Sequence, residues 1–183
     1  MKTRLVIYDF DGTIFRSPDK EAGKKLYLEK TGNIFPCQGW WGRMESLSPP
    51  IVPQTPDPSW YFSHTINNIQ SDQASPETNL VLMTGRPYHL RSRVLELLDN
   101  QGLIFDGYFF SAQVDSKGNT TAEIKKNYIL KLLEENYESL EIHEDRIDQI
   151  AEFIKFSKEL RSLYPAIKKI LIHDAVNTNI HEL

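Results

Sequence analysis

Residues 6–15 read VIYDFDGTIF, and the rest of the fold can be predicted outward from this run. Its first half is apolar and β-rich, as is typical of a buried strand, but Asp9 and Asp11 follow with one residue between them. An ionised carboxylate is costly to bury, so the pair needs a partner or a function. Side chains two residues apart in a strand point to the same side. Both carboxyl groups can therefore reach one ligand.

Length and composition limit the class of protein. The 183 residues suit a single domain (1–183), and an apolar fraction of 40% is ordinary for a chain that buries a core. A net charge of -4 excludes a strongly basic protein that binds nucleic acid through general charge, so such a contact would have to be local. We expect a cytoplasmic protein without membrane contact, because the apolar runs are short and the single cysteine cannot form an internal disulfide.

Five apolar, β-rich runs predict the strands of one sheet: residues 5–10, 80–83, 107–111, 140–143 and 169–173. Helical periodicity fills three of the gaps between them, at residues 87–98, 120–133 and 147–163. Thr120 and Glu123 have the spacing of a capping box. Strands that alternate with helices favour parallel pairing, with helices on both faces of the sheet. The predicted fold class is therefore α/β, a Rossmann-like three-layer α/β/α sandwich.

The gap between the first two strands, residues 16–78, departs from this alternation. After a short helical run at residues 20–30, proline and glycine are frequent enough to prevent long regular elements. A loop of this length inside a compact domain is usually functional or has its own packing. We expect a small, irregular, cap-like insertion over one end of the sheet.

Polar and charged residues follow three of the predicted strands. In open parallel sheets, ligands bind outside the carboxyl ends of the strands. The groups at or next to these ends are Asp9, Asp11, Thr84, Gly85, Arg86, Lys125, Glu144 and Asp145. Each alone has a plainer interpretation: a turn, a helix N-terminal cap, a solvated helix start or an exposed lysine. Their coincidence at one edge favours a shared cleft.

These segments resemble the four motifs of the haloacid dehalogenase (HAD) superfamily. The matching segments are DFDGT at 9–13, LMTGRP at 82–87, Lys125, and the acidic pair at 144–145. Within the superfamily, the chain is most similar to the HAD domains of Swiss Army Knife RNA repair proteins and to polynucleotide 3'-phosphatase domains. That narrower resemblance rests on DFDGTIFRSP, GWW at 39–41, TAEIK at 121–125 and HEDRIDQIAEF at 143–153. It implies a five-stranded, mainly parallel sheet in the order 3-2-1-4-5.

The resemblance implies a phosphatase mechanism with four catalytic residues. Asp9 would attack phosphorus to form an aspartyl-phosphate, and Asp11 would act as general acid and then as general base. Thr84 would bind the phosphoryl oxygens, and Lys125 would neutralise developing charge. Since a free aspartate titrates near ~3.9, we expect surroundings that raise the pKa of Asp11, and a metal that keeps Asp9 ionised.

The resemblance also implies a bound Mg²⁺ and a set of substrate contacts. The metal would be held by Asp9, the carbonyl of Asp11 and Asp145, whereas Glu144 either binds it through water or holds Lys125. The candidate substrate-binding residues are Gly85, Arg86, Arg16, Trp40 and Trp41. Arg86 would clamp the phosphate in a fork geometry.

The substrate class stays open at this level. One interpretation is a phosphomonoesterase for 3'-phosphate ends of RNA or DNA, with RNA-repair proteins as possible partners. A second is a small-molecule phosphatase such as a nucleotidase, and a third, less favoured, is a non-catalytic HAD-like binding module. Trp40 and Trp41 could stack on bases, but packing within the insertion is the favoured interpretation. Arg16 could meet a phosphate or simply be exposed.

Overall fold

Six strands form the central sheet. The computed structural model describes residues 2–111 and 120–183. The strands are β1 (Arg4–Tyr8), β2 (Thr78–Pro87), β3 (Gly107–Ser111), β4 (Ser139–Glu144), β5 (Lys169–Asp174) and β6 (Ile180–Glu182). Their order is β3-β2-β1-β4-β5-β6, parallel except for β6, which pairs antiparallel with β5. The predicted α/β class and the order 3-2-1-4-5 are confirmed, and β6 is an edge strand that the sequence analysis does not predict.

The described helices cover both faces of the sheet. They are α1 (Lys20–Thr31), α2 (Ser63–Ala74), α3 (Arg91–Asp99), α4 (Thr121–Leu132) and α5 (Ile147–Leu163). Val6 and Tyr8 of β1 belong to one hydrophobic cluster with side chains of α1, α2 and α3, whereas Leu5 and Ile7 belong to a second cluster with side chains of α4 and α5. In the described part of the chain, none of the helices has the length and apolar character that crossing a membrane requires.

Most predicted boundaries agree with the structure, but the end of β2 does not. The capping box at Thr120 and Glu123 is present and opens α4 as expected. The second strand does not end at residue 83; it continues through a register shift to Pro87, and α3 begins only at Arg91. Thr84 therefore lies in a strand and does not cap a helix.

The segment 16–78 is more regular than predicted. It contains α1, two short 3-10 turns (Met44–Leu47 and Pro58–Trp60) and α2. α2 is the crossover helix between β1 and β2, and it buries Ile66 and Ile69 against the sheet. The sequence does not predict it, because SHTINNIQSDQA is polar apart from these two isoleucines and the final alanine.

Two buried arginines fix the proline-rich part of this segment to the rest of the domain. Arg86 donates to the carbonyl of Trp41 at 2.8 Å and to the hydroxyl of Ser46. Arg93 donates at 2.7 to 2.9 Å to three carbonyls, those of Leu47, Pro53 and Gln54. A guanidinium has five N–H donors in a fixed fork, so it can satisfy carbonyls of irregular backbone that belong to no helix or sheet ladder.

Candidate active site

A cleft of about 400 Å³ opens at the carboxyl end of the sheet. Its lining residues are Asp9, Asp11, Trp41, Gly85, Arg86, Thr121, Lys125, Asp145, Arg146 and Gln149. Seven of these ten were candidates from the sequence; Thr121, Arg146 and Gln149 were not. These three residues lie at the starts of α4 and α5, and both helices begin at this edge of the sheet. Their place at a predicted helix start is the signal that could have identified them.

Lys125 joins two carboxylates in the cleft. Its Nζ donates to Asp9 Oδ1 at 2.8 Å and to Glu144 Oε2 at 2.7 Å, and all three residues are buried. Burial alone would lower the pKa of Lys125, but the two carboxylates raise it above its usual value. The ammonium therefore stays charged. Glu144 holds Lys125, which is one of the two roles that the sequence left open.

The donor set next to Lys125 fits a hard divalent cation. Asp9, Glu144 and Asp145 each offer a carboxylate oxygen, and the three atoms lie within 4.8 Å of one another. Burial raises the pKa of Asp9 to about 7 against the opposing effect of Lys125, with Glu144 and Asp11 adding to the rise. Burial and the neighbouring Asp9 and Glu144 raise the pKa of Asp145 to about 8. One ammonium does not balance three carboxylates, so the excess negative charge of their ionised forms suits a cation such as Mg²⁺.

Gly12 lets the turn after β1 approach Asp145. The glycine has φ +71°, and a Cβ at this position would lie 2.1 Å from Asp145 Oδ2. Glycine adopts this left-handed backbone conformation readily, and it has no side chain to collide with Asp145. The Asp-Gly pair of the motif is thus more than a turn signal, since it brings Asp145 close to the chain that carries the two aspartates.

Asp11 is held by Arg86. Arg86 Nε donates to Oδ2 at 2.8 Å and Nη2 to Oδ1 at 2.7 Å, and the Ser17 hydroxyl also donates to Oδ1. This bidentate contact is the geometry of a guanidinium with a carboxylate anion. The role of Asp11 as general acid and then general base stays a prediction. The contacts of Asp11 suit a general base.

The same contacts correct the role expected of Arg86. Within the described residues, its donors make four hydrogen bonds, to Asp11, Trp41 and Ser46. Its side chain is fully buried. Arg86 is therefore oriented as a link between Asp11 and the segment 16–78, and not as a clamp that presents its fork to a phosphate.

Thr84 lies behind the cleft and Gly85 lies on its wall. Thr84 is fully buried, and its hydroxyl accepts a hydrogen bond from the backbone N–H of Arg86 at 3.1 Å. A Cβ at Gly85 would approach the Thr121 methyl group at 3.3 Å, so the cleft is narrow there. The expected contact of Thr84 with phosphoryl oxygens stays a prediction.

The two neighbouring tryptophans have different environments. Trp41 lines the cleft and is 41% exposed, with the Arg86 guanidinium 5.1 Å from the centre of its ring. Trp40 is only 2% exposed, and its indole N–H donates to the carbonyl of Pro18 at 2.8 Å. Its ring occupies the space that a Cβ on Gly23 would need. The assignment of Trp40 to substrate binding is therefore wrong, because it belongs to the hydrophobic core.

Arg16 is outside the cleft lining. Its guanidinium lies 3.8 Å from the centre of the Phe62 ring, and its Nε donates to the carbonyl of Tyr61 at 3.4 Å. The side chain is exposed. The structure thus does not bring Arg16 together with the other candidate residues.

The fold and the cleft define a HAD-type domain, and comparison with known families agrees. A family model described as HAD domain family 1 in Swiss Army Knife RNA repair proteins matches residues 25–181. The match covers most of the chain, so the chain belongs to this family, and the resemblance predicted from its motifs is confirmed. Membership supports a HAD-type phosphatase at the level of the superfamily. The match begins after Asp9 and Asp11, whose roles rest on the motif and the geometry.

A curated protein of Saccharomyces cerevisiae is also similar to the chain. The uncharacterized protein YMR265C is 25% identical over 175 residues, which is 86% of this chain and 38% of the yeast protein. The chain therefore spans well under half the length of that relative. No solved structure matches the chain significantly.

Proposed function

We propose that the chain is a Mg²⁺-dependent phosphomonoesterase that removes phosphate from the 3' ends of RNA or DNA through an aspartyl-phosphate on Asp9. The observation that carries the proposal is the cluster of Asp9, Lys125, Glu144 and Asp145, three of which line the cleft. The residues that would hold Mg²⁺ are Asp9, Asp145 and the carbonyl of Asp11, and the bound ion would neutralise charge on the phosphoryl oxygens.

Asp9 is positioned as the nucleophile. Lys125 fixes Oδ1, while Oδ2 accepts no hydrogen bond from the described residues, so it is the oxygen that attacks phosphorus. The bond between Asp9 and phosphorus forms as the bond to the leaving oxygen breaks. Lys125 stabilises the negative charge of the phosphoryl group in transit, because its ammonium is fixed before the substrate arrives.

Asp11 serves both steps as acid and base. In the first step it donates a proton to the leaving oxygen, and in the second it takes a proton from the water that attacks phosphorus and releases Asp9. Its contacts with Arg86 and Ser17 are those of a carboxylate, so it is ready for the second step. For the first step, Asp11 takes a proton from solvent as the substrate binds, and in the second step the proton of the attacking water replaces the one that it gave to the leaving oxygen.

The choice of nucleic-acid ends is supported by Trp41 and by the family description. The exposed ring of Trp41 can stack on a nucleobase next to the phosphate, and such stacking is worth about 1–3 kcal/mol per base. We propose that the segment 16–78, which carries Trp41, acts as a small cap on one side of the cleft. The family is named for RNA repair, so RNA-repair proteins are the proposed partners.

A phosphate-release panel in Mg²⁺ tests this function. The substrates are 3'- and 5'-phosphorylated RNA and DNA oligonucleotides, free nucleotides and sugar phosphates. We expect kcat/KM to be highest for 3'-phosphorylated ends, by at least about tenfold, or ~1.4 kcal/mol. Trp41→Ala should lower kcat/KM for 3'-phosphorylated ends by about fivefold or more. Trp60→Ala, which removes a tryptophan outside the cleft lining, should leave this kcat/KM unchanged. A preference for nucleotides or sugar phosphates would favour the small-molecule alternative, and release from no substrate would contradict the function.

A further inference from the structure

A second cavity, of about 280 Å³, lies between α2 and the strands β1, β4 and β5. Among the described residues, it shares none of its lining with the active-site cleft. Glu141 and His143 of β4 and His173 of β5 are part of this lining. Each of the three offers one metal-ligating atom, and these atoms lie within 4.8 Å of one another. The cavity thus brings together two imidazoles and a carboxylate.

The sheet places these three side chains on one face. Glu141 and His143 are two residues apart on β4, and His173 is the partner of His143 in the parallel pairing of β4 with β5. Paired residues of neighbouring strands are about 4.8 Å apart, so the three side chains can reach one ion. Glu144, the next residue of β4, points to the opposite face, where it holds Lys125.

Two buried imidazole nitrogens of this cluster have no hydrogen-bond partner among the described residues. They are Nε2 of His143 and Nε2 of His173. Buried polar side-chain atoms of native proteins rarely lack a partner, so these two need an explanation. Nε2 of His173 lies 3.7 Å from Glu141 Oε2, which is too far for a hydrogen bond but close enough for both atoms to ligate one ion after a small movement.

The movement that ion binding requires falls on His173. The two imidazole rings are stacked, with centres 4.0 Å apart and planes 12° apart, so one ring has to turn before both can ligate the same ion. Tyr8 holds His143 from its other side, again with ring centres 4.0 Å apart. The His173 side chain is 19% exposed, and in the described part of the chain no aromatic ring stacks on its second side. His173 is therefore free to turn.

The charges around the cavity admit a cation. Arg4 donates to both oxygens of Glu141, at 2.8 Å each, and also pairs with Asp72. These three groups carry one net negative charge. A carboxylate has about four lone-pair sites, so Glu141 can accept both bonds and still ligate an ion. Arg4 orients Glu141 in the way that hydrogen-bonding neighbours orient metal ligands.

We propose that Glu141, His143 and His173 form a second metal site, which binds Zn²⁺ with water completing the coordination. Two imidazoles and one carboxylate are ligands that Zn²⁺ accepts, whereas Mg²⁺ prefers oxygen ligands. The site is independent of the proposed phosphatase function, because it uses none of the residues of that mechanism.

Calorimetric titration of the full chain with Zn²⁺, after treatment with a chelator and in saturating Mg²⁺, tests the site. We expect one Zn²⁺ per chain. His173→Gln should weaken binding by about a hundredfold or more, since loss of a group that only orients a ligand already costs about 10–100-fold. His181→Gln is the matched control and should keep the wild-type affinity, because His181 of β6 pairs with Ile172 and so lies on the other face of the sheet. Asp145→Asn should also keep it, because Asp145 belongs to the active-site cleft.

X-ray absorption at the zinc edge gives a readout that needs no variant. The wild-type protein with one Zn²⁺ bound should show scattering from two imidazoles, with nitrogens about 2.0–2.1 Å from the metal. A shell of oxygens alone would overturn the proposal. So would the absence of Zn²⁺ binding, an unchanged affinity in His173→Gln, or a loss of affinity in Asp145→Asn, which would place the ion in the cleft.

Discussion

The substitution Arg86→Met distinguishes a link between Asp11 and the segment 16–78 from a phosphate clamp. The fully buried guanidinium makes two charge-assisted hydrogen bonds to Asp11 and two to the stretch that contains Trp41 and Ser46. Removing one partner of a buried ion pair costs about 3–5 kcal/mol. The Asp11 side chain keeps 18% exposure and can be partly solvated, so we expect a loss near the lower end, about 3 kcal/mol of the free energy of unfolding. Arg86→Lys keeps the charge without the fork, and about half that loss is expected.

Urea unfolding followed by tryptophan fluorescence measures the loss of stability, and steady-state kinetics measure the effect on Asp11. We expect Arg86→Lys to lower kcat more than it raises KM, because a displaced Asp11 transfers protons poorly. Arg93→Lys is the matched control. Arg93 is also buried and holds the same segment, through the carbonyls of Leu47 and Gln54, but its hydrogen bonds do not include Asp11. The Arg93→Lys variant should have a lower free energy of unfolding, while its kcat stays close to that of the wild type.

A different pattern would refute the reasoning about Arg86. If Arg86→Lys unfolds like the wild type and raises KM by about tenfold at constant kcat, then the guanidinium binds the substrate phosphate. Its contacts with Asp11 and Trp41 would then be secondary to that role.

Three further predictions concern the carboxylate cluster. Lys125→Met leaves Asp9 and Glu144 without their shared cation. We therefore expect urea unfolding to show a free energy of unfolding lower by about 3–5 kcal/mol, and kcat to fall by about a hundredfold or more. An unchanged kcat would contradict the role of Lys125. The pKa values of Asp9, about 7, and Asp145, about 8, lie above the ordinary 3.8, so these two groups bind more protons in the native metal-free chain than in the unfolded chain between these limits. Their contribution to stability should be fully present below about pH 4 and be lost as the pH rises to about 8, and Mg²⁺ should raise the melting temperature more at high pH than at low pH; equal shifts would count against the metal site. Gly12→Ala should abolish the rise in melting temperature that Mg²⁺ causes, because the new Cβ displaces Asp145. An unchanged rise would show that the metal site does not need the close approach of Gly12 and Asp145.

The α/β class was predictable because it depends on local patterns, whereas the strand order 3-2-1-4-5 was implied by the resemblance to the HAD superfamily. Alternating strands and helices, and the capping box at Thr120, are properties of short windows, and the structure contains both. The chemistry at the strand ends was predictable for the same reason, since a parallel sheet brings the carboxyl ends of its strands to one edge. Asp9, Lys125 and Asp145 could therefore be grouped before their distances were known.

The remaining features depend on contacts between residues far apart in the chain. The partners of Arg86 are 75 and 45 residues away, at Asp11 and Trp41, and no local pattern shows that they use its donors. The burial of Trp40 depends on the missing side chain of Gly23, while its neighbour Trp41 stays at the cleft. Adjacent residues of the same type thus differ through packing that the sequence does not display.

The covalent bond between Asp9 and phosphorus is the central claim, and it can be measured directly. The protein is mixed with RNA that carries a radiolabelled 3'-phosphate, in Mg²⁺, and quenched rapidly with acid. For the wild type we predict label bound to the protein and released by hydroxylamine, which cleaves acyl phosphates, and for Asp9→Asn we predict none. A wild-type protein that turns over without bound label, or an Asp9→Asn variant that still acquires it, would contradict the mechanism.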